Sequence, residues 1–301
     1  MRTLCLRAYG PLAACGTQEA GTVHRPTARH FGRGAILGMI DAALGIRRDE
    51  EEERRRLAAG LWTAVAAEGP RRVRREFRTV QTVEASNLPR PASRGDALGG
   101  AGFTPVLKEE GGKHHVRWTV PAGADPRRPG WKRIHTMVTH REHVEDGIWR
   151  IFLAARPDSG IDLDRIAGAI RRPAFELYLG RRGMPLALPP DPRVLDGGLA
   201  AALAAYPTVP ALDGEAFLGA VCRALRRRLG GAAVDLAWDD GFPDAPEADE
   251  AHLVQDDPTS RRFWRFAART EMRATVARTQ PAPGASAATG PSSIIERYWR
   301  D

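Results

Sequence analysis

The sequence predicts an α+β fold: a ferredoxin-like sandwich that carries a long basic β-hairpin and a smaller C-terminal region. Three observations support this. Segments of strand character and segments of helical spacing follow one another as strand–helix–strand and again as strand–helix–strand. A basic stretch rich in Pro and Gly interrupts the series near its middle. Hydrophobic residues make up 43% of the 301 positions, enough for a buried core.

Taken in order, Thr3–Tyr9 is short, partly alternating and followed by Gly10-Pro11, which reads as a first strand. The N-terminus loosely mimics a secretory leader, but Arg7 interrupts its apolar run and favours the strand. Residues 16–34 form a polar, glycine-rich loop. Ile36, Ile40 and Leu44 then recur every four residues, with Leu37 and Met39 widening the face, so 34–44 is a helix and Gly45 its stop. Asp49–Arg56 is a charge run with i,i+3 and i,i+4 pairs of opposite sign, the pattern of a solvated helix face. Leu61–Ala67 either continues that helix or turns into a strand.

Arg71–Val83 alternates and is basic. It reads as a strand with Val73, Phe77 and Val80 inward and arginines outward. Residues 84–102 form a Pro/Gly/Ser-rich loop. Phe103–Leu107, His115–Val120 and Trp131–Val138 are short strands within one projecting basic hairpin spanning about 76–140.

Trp149–Ala155 is a buried strand, and Ser159 to Asp162 has the spacing of a capping box. Leu163, Ile166, Ala167 and Ile170 follow at helical spacing until Pro173 ends the helix. Residues 213–229 form a helix with Phe217, Val221 and Leu225 in phase. Val234–Trp238 and Arg262–Ala268 are strands separated by an acidic loop over 239–257. Residues 280–293 are a low-complexity linker, and the tail after it docks through Ile294, Ile295, Tyr298 and Trp299 or stays disordered.

Charge narrows the function. The net charge is +8, and segment 71–143 holds 15 Lys or Arg against 7 Asp or Glu, whereas the rest of the chain balances. Of the 45 cations 42 are arginine, which a GC-rich coding sequence explains; the position of the excess is what favours local contact with a polyanion. The cysteines Cys5, Cys15 and Cys222 form no CxxC pair, which argues against structural zinc and a disulfide framework and fits a reducing cytoplasm. No apolar run approaches the 18 or so residues of a membrane span. Walker, GxSxG and HExxH motifs are absent.

The segment Tyr178-Leu-Gly-Arg-Arg-Gly-Met-Pro185 combines glycines that permit a sharp turn, two arginines suited to bidentate phosphate contact, and Tyr178 with nearby Phe175 for stacking on an unpaired base. Arg25, Arg29, His30 and Arg33 precede a helix N-terminus, where free amides suit phosphates. His135, His140 and His143 have loose metal-ligand spacing, but a strand across 131–138 does not bring them together, so contact with RNA or solvent is the preferred reading. Lys113 with His114 or His115 has the composition of a metal-free ribonuclease pair, though a basic hairpin tip explains it more simply.

Four separated blocks resemble the CasD-type (Cas-five) subunits of the type I-E CRISPR Cascade complex. They are Leu6-Arg-Ala-Tyr-Gly-Pro-Leu12; Arg25-Pro-Thr with Arg33-Gly-Ala-Ile-Leu-Gly38 and Ala43-Leu-Gly-Ile-Arg-Arg-Asp49; Arg141-Glu142; and Tyr178–Leu186. The resemblance implies a modified RRM-like (RAMP) RNA-binding domain over 1–190 with a thumb hairpin at about 76–140; beyond it the chain reads as a smaller mixed α/β region at 191–279 and a linker and tail at 280–301, with the Ala-rich stretch 195–233 and the tail departing from the family's pattern. The resemblance also implies a cytoplasmic, non-catalytic subunit that caps the five-prime handle of the guide crRNA. Its partners would be the Cascade backbone and large subunits and the target DNA, without membrane, metal or cofactor. On that resemblance Arg25, Arg29 and Arg33 line an RNA groove, Arg141 contacts the handle, and Phe175, Tyr178, Leu179, Arg181 and Arg182 form its hook; His135 joins them as an RNA-binding candidate read from the residues alone. The alternative is a metal-independent endoribonuclease that processes precursor crRNA.

Overall fold

The computed structural model describes residues 1–17, 23–69, 71–83, 104–110, 113–119, 134–210, 216–229, 233–260, 263 and 265–278. In chain order these form β1 (Arg2–Ala13), β2 (His24–Arg25), α1 (Arg33–Leu44), α2 (Glu51–Gly60), β3 (Leu61–Glu68), β4 (Arg72–Val83), β5 (Thr104–Glu110), β6 (Lys113–Thr119) and β7 (Ile134–Ala155). They continue with α3 (Leu163–Arg171), β8 (Arg193–Asp196), α4 (Leu199–Ala205), α5 (Ala216–Arg228), β9 (Ala233–Asp239), β10 (Glu250–Ser260) and β11 (Arg265–Ala277). The chain divides into two units. One comprises Met1–Ala20, Pro26–Arg75 and Glu142–Asp301, the other Gly21–Arg25 and Glu76–Arg141.

The first unit is built on an antiparallel sheet of order β10-β11-β9-β3-β7-β1-β8. Its central strands are buried on both faces, so they read as nearly continuous apolar runs. Leu4, Leu6 and Ala8 of β1 join Trp149, Ile151 and Leu153 of β7 and Val65 of β3 against Ile36, Leu37 and Ile40 of α1 and Ile166 and Ile170 of α3. The alternate residues, Cys5, Ala64, Ala66, Phe152 and Ala154, pack with Leu199, Ala202, Leu203 and Tyr206 on the opposite face. Each large apolar side chain buried this way stabilises the fold by about 1.5–3 kcal/mol. A third cluster joins Tyr9, Ile148 and Leu188 to Cys222, Leu225 and Leu229 at α5.

Two arginines lie inside this apolar setting. Arg7 and Arg150 are register partners across β1 and β7 and are both buried. Arg7 donates to the carbonyls of Thr208 at 2.9 Å and Pro207 at 2.8 Å. Arg150 pairs with buried Glu68 at 2.8 Å and donates to the carbonyls of Leu203 and Tyr206. They hold the segment after α4 onto the sheet and supply the partners that buried polar groups require.

Helix α1 ends as expected, with Gly45 in the left-handed region at φ 79°. The charged run forms α2, with i,i+3 pairs Glu52–Arg55 and Glu53–Arg56 on its exposed side. Leu61–Glu68 is a strand, because its register against β7 and β9 buries both of its faces.

Several expectations need correction. β1 runs on through Gly10 and Pro11 to Ala13, with Gly10 opposite Gly147. The cap of α3 is Asp162, whose carboxylate accepts from the amides of Asp164 and Arg165, and not Ser159. Val73, Phe77 and Phe217 are exposed rather than inward. Much of the expected acidic loop is strand β10, which pairs only with β11 among the described residues and keeps acidic side chains along its length. Strand β8 and helix α4 were not expected. β8 pairs with β1, and β9–β11 continue the sheet from β3, so residues on both sides of position 190 share one sheet. Residues 280–301 lie outside the described residues.

In the second unit β5 and β6 form an antiparallel hairpin with Thr104 opposite Thr119 and Glu110 opposite Lys113. The dipeptide β2 pairs in parallel with β7, His24 opposite His140 and Arg25 opposite Arg141.

Candidate nucleic-acid interface

The turn after α3 is pinned to the core along its whole length. The amides of Ala174 and Phe175 donate to the carbonyls of Ala43 and Ala42 at the end of α1. Tyr178 bridges Pro185, Leu179 donates to the Met184 carbonyl at 2.7 Å, and Met184 donates to the Arg181 carbonyl at 2.8 Å. Ala14 donates to the Leu179 carbonyl at 3.0 Å, fixing the turn to the end of β1. Gly180 adopts φ +85° and lies directly against the Ala14 carbonyl, leaving no room for a β carbon. Around this anchor Phe175, Tyr178 and Arg182 are exposed and Arg181 is partly exposed. A backbone-anchored turn that presents two rings and the Arg182 guanidinium, with Arg181 half-buried and its Nη1 covered, suits an unpaired base with its phosphate. Leu179 differs from expectation: it is fully buried, its side chain packed against Gly10, and it anchors the turn.

A second basic group lies in the other unit. Arg25 and Arg141 are register partners on β2 and β7. Burial, then the like charges of Arg78 and Arg25, hold the Arg141 guanidinium below its ordinary range, and its buried Nε has no hydrogen-bond partner among the described residues. Arg78 pairs with Glu76 at 2.8 Å. His135 lies on β7, with its side chain outside the described residues.

The loop leading into α1 divides its arginines. Arg29 is exposed, and its carbonyl accepts from Trp149 Nε1 at 2.9 Å. Arg33 is buried. It pairs with Asp239 at 2.5 Å and Asp257 at 2.8 Å and donates to the carbonyls of Ala58 and Leu61. Its backbone amide donates to Asp256 at 2.7 Å, so the N-terminus of α1 already holds a carboxylate. Both the groove role of Arg33 and the phosphate role of that helix end are corrected by this network: the cation and the amide are already saturated by the protein.

Comparison with known proteins settles the family. The family described as "CRISPR-associated protein (Cas_Cas5)" matches residues 3–278. The chain belongs to the Cas5 family. It is 27% identical over 186 residues to the CRISPR system Cascade subunit CasD of Escherichia coli strain K12, covering 62% of this chain and 68% of that one. Two solved structures share its fold. One is titled "CRISPR RNA-guided surveillance complex", with TM-score 0.54, 22% identity and coverage of 93% of this chain and 91% of the other. The second, "Crystal structure of Cas protein", gives TM-score 0.53, 21% identity and coverage of 93% and 97%.

In this Cas5 chain the suggested ribonuclease residues follow one another on a single strand. Lys113, His114 and His115 lie on β6, with their side chains outside the described residues. Among the described residues no three His, Cys, Asp or Glu side chains gather in a metal-binding group, and His143 is buried. No helix among them is long and apolar enough to cross a membrane. Sequence reasoning missed Arg78 and the exposure of Phe77. The signal was present in β4, where residues 73 and 77, an even number apart on one strand, share a face amid arginines.

Proposed function

We propose that this Cas5 chain is a non-catalytic, cytoplasmic RNA-binding subunit of a type I-E Cascade complex, capping the five-prime handle of the guide crRNA. The anchored Tyr178–Pro185 turn carries the reading, because it presents stacking rings and guanidiniums on a backbone fixed by Gly180 and Ala14. The name of the Escherichia coli relative, a Cascade subunit, supports the assembly context. The order β8-β1-β7-β3, with α1 between β1 and β3 and α3 between β7 and β8, supports a ferredoxin-like, RRM-related core.

In this reading Arg29, Phe175, Tyr178, Arg181 and Arg182 contact the handle from the first unit, and Arg25, Arg141 and His135 contact the guide from the second. RNA contact belongs to 1–190, and region 191–279 extends the sheet. The thumb at 76–140, with its β5–β6 hairpin, reaches neighbouring backbone and large subunits. Target DNA meets the chain within the assembled complex. The test is an Arg181→Ala/Arg182→Ala chain co-expressed with its partner subunits and guide. Charge-assisted hydrogen bonds are worth about 1.5–3 kcal/mol each, so handle binding weakens strongly. Undiminished assembly and RNA retention overturn the proposal.

A further inference from the structure

Helix α5 is buried on one side only. Cys222, Leu225 and Leu229 pack into the core, and Leu218 and Val221 lie half-buried at its margin. On the other side Phe217, Ala220 and Ala224 follow at steps of three and four residues, which puts them on one helical face, and all three are exposed. Phe217 is 77% exposed. Arg223 and Arg227 flank this face and are also exposed.

Strand β11 brings the chain back to this helix. Arg278, the residue after β11, donates from Nη1 to the Leu229 carbonyl at the end of α5 at 2.7 Å and pairs with Glu68 at 3.3 Å. The residues that follow therefore leave from the C-terminal end of α5. At 1.5 Å per residue, Phe217 lies about 18 Å from that point along the helix. Residues 279–293 are uncharged and rich in Pro, Gly, Ala and Ser. A chain of that length and composition spans about 20 Å on average. Directly beyond it come Ile294, Ile295, Tyr298 and Trp299, at i, i+1, i+4 and i+5, a spacing that lines one face of a helix. Glu296, within the same motif, is opposite in sign to Arg223 and Arg227.

An apolar motif thus begins within reach of an open phenyl ring on an apolar helix face, and covering the ring removes both from water. Leu253 on β10 is more exposed still, but its neighbours along that side of the strand are Ala251 and Gln255, so it offers no continuous apolar face.

We propose that the segment Ile294–Trp299 docks on the outer face of α5 and covers Phe217, making the C-terminal tail an intramolecular partner of this helix. The contact stands apart from RNA binding and needs neither guide nor partner subunit.

The test is disulfide trapping in the full chain. Cys5, Cys15 and Cys222 are free and buried, so cysteines introduced at the surface are the reactive ones. Ala224→Cys/Ser293→Cys joins the tail to α5, and Gln255→Cys/Ser293→Cys joins it to β10 beside Leu253. Under mild oxidation of dilute protein the α5 pair closes within one chain about tenfold faster than the β10 pair. Adding Phe217→Ser or Trp299→Ser removes that advantage, and Trp299→Ser speeds hydrogen exchange at 217–228 while leaving β1 and β7 unchanged. Equal closure rates for the two pairs overturn the proposal, and so does faster closure on β10. Disulfides that form between chains, at a rate rising with concentration, assign the tail to a second copy and overturn it too. Because Phe217 and position 299 lie outside the packed core clusters, both serine variants keep the wild-type melting temperature. An α5 advantage that survives Phe217→Ser refutes the docking on that ring.

Discussion

Arg33, at the first position of α1, closes an ion pair of 2.5 Å with Asp239, at the last position of β9, and both side chains are buried. Asp239 also accepts from the Thr63 amide at 2.6 Å and from Arg269 at 2.9 Å, tying the helix to strands β3, β9 and β11. Removing one partner of a buried pair leaves an uncompensated charge, which costs about 3–5 kcal/mol. Arg33→Ala is therefore expected to destabilise the chain by about that amount in urea denaturation. Under folding conditions its RNA affinity stays near wild type. A stable Arg33→Ala chain with weakened RNA binding would restore Arg33 to the groove.

Gly180 cannot be replaced quietly. A side chain there meets both a left-handed backbone at φ +85° and the carbonyl of Ala14. A non-glycine residue forced into such a conformation costs about 1–3 kcal/mol before the clash is counted. Gly180→Ala lowers the melting temperature and weakens RNA binding together, since the turn that carries Tyr178 and Arg182 must move. Thermal denaturation and RNA titration of the same preparation check this. An unchanged melting temperature contradicts the anchoring role.

Glu271 makes the chain acid-sensitive in a defined window. Burial alone raises its carboxyl, but the hydrogen bond and charge of His30 and the neighbouring Arg269 and Arg273 outweigh burial and hold it down at about 2 from an ordinary 4.5. A carboxyl depressed on folding stabilises fully above its unfolded value and loses that contribution as pH falls through the folded one. About 3 kcal/mol is therefore lost between roughly pH 4.5 and pH 2. Glu271→Gln flattens this part of the stability–pH curve, measured by chemical denaturation at successive pH values.

Arg150 and Glu68 form another internal pair, both 2% exposed at the side chain. Glu68 also accepts from Thr208 at 2.8 Å, so the pair and the segment after α4 stand together. Arg150→Met leaves Glu68 charged without its main partner and frees the carbonyls of Leu203 and Tyr206. Stability falls by about 3–5 kcal/mol, and hydrogen exchange accelerates at 203–208 ahead of the central strands. Uniform acceleration across the sheet would argue against a local tether.

Local signals and long-range ones separate clearly in this molecule. Periodicity alone located α1, its Gly45 stop, the exposed ion pairs of α2 and the buried face of α3, because each depends on residues within one turn of the helix. The Tyr178–Pro185 turn was legible for a similar reason: its glycines and arginines are adjacent in sequence. The sequence could not separate the arginines that face water from those that do not. Arg33 looks like Arg25 until Asp239, more than two hundred residues later, is brought beside it. Arg7, which interrupts an apolar run in the sequence, is satisfied by carbonyls two hundred residues away. β10 escaped detection because a strand paired on one side keeps polar residues and loses the apolar run that marks the centre of a sheet. Composition and spacing thus determined which segments form elements and where positive charge accumulates. Tertiary structure decided which of those charges are already neutralised by the protein's own carboxylates and carbonyls, because Coulombic and hydrogen-bond pairing depends on distance in space and not along the chain.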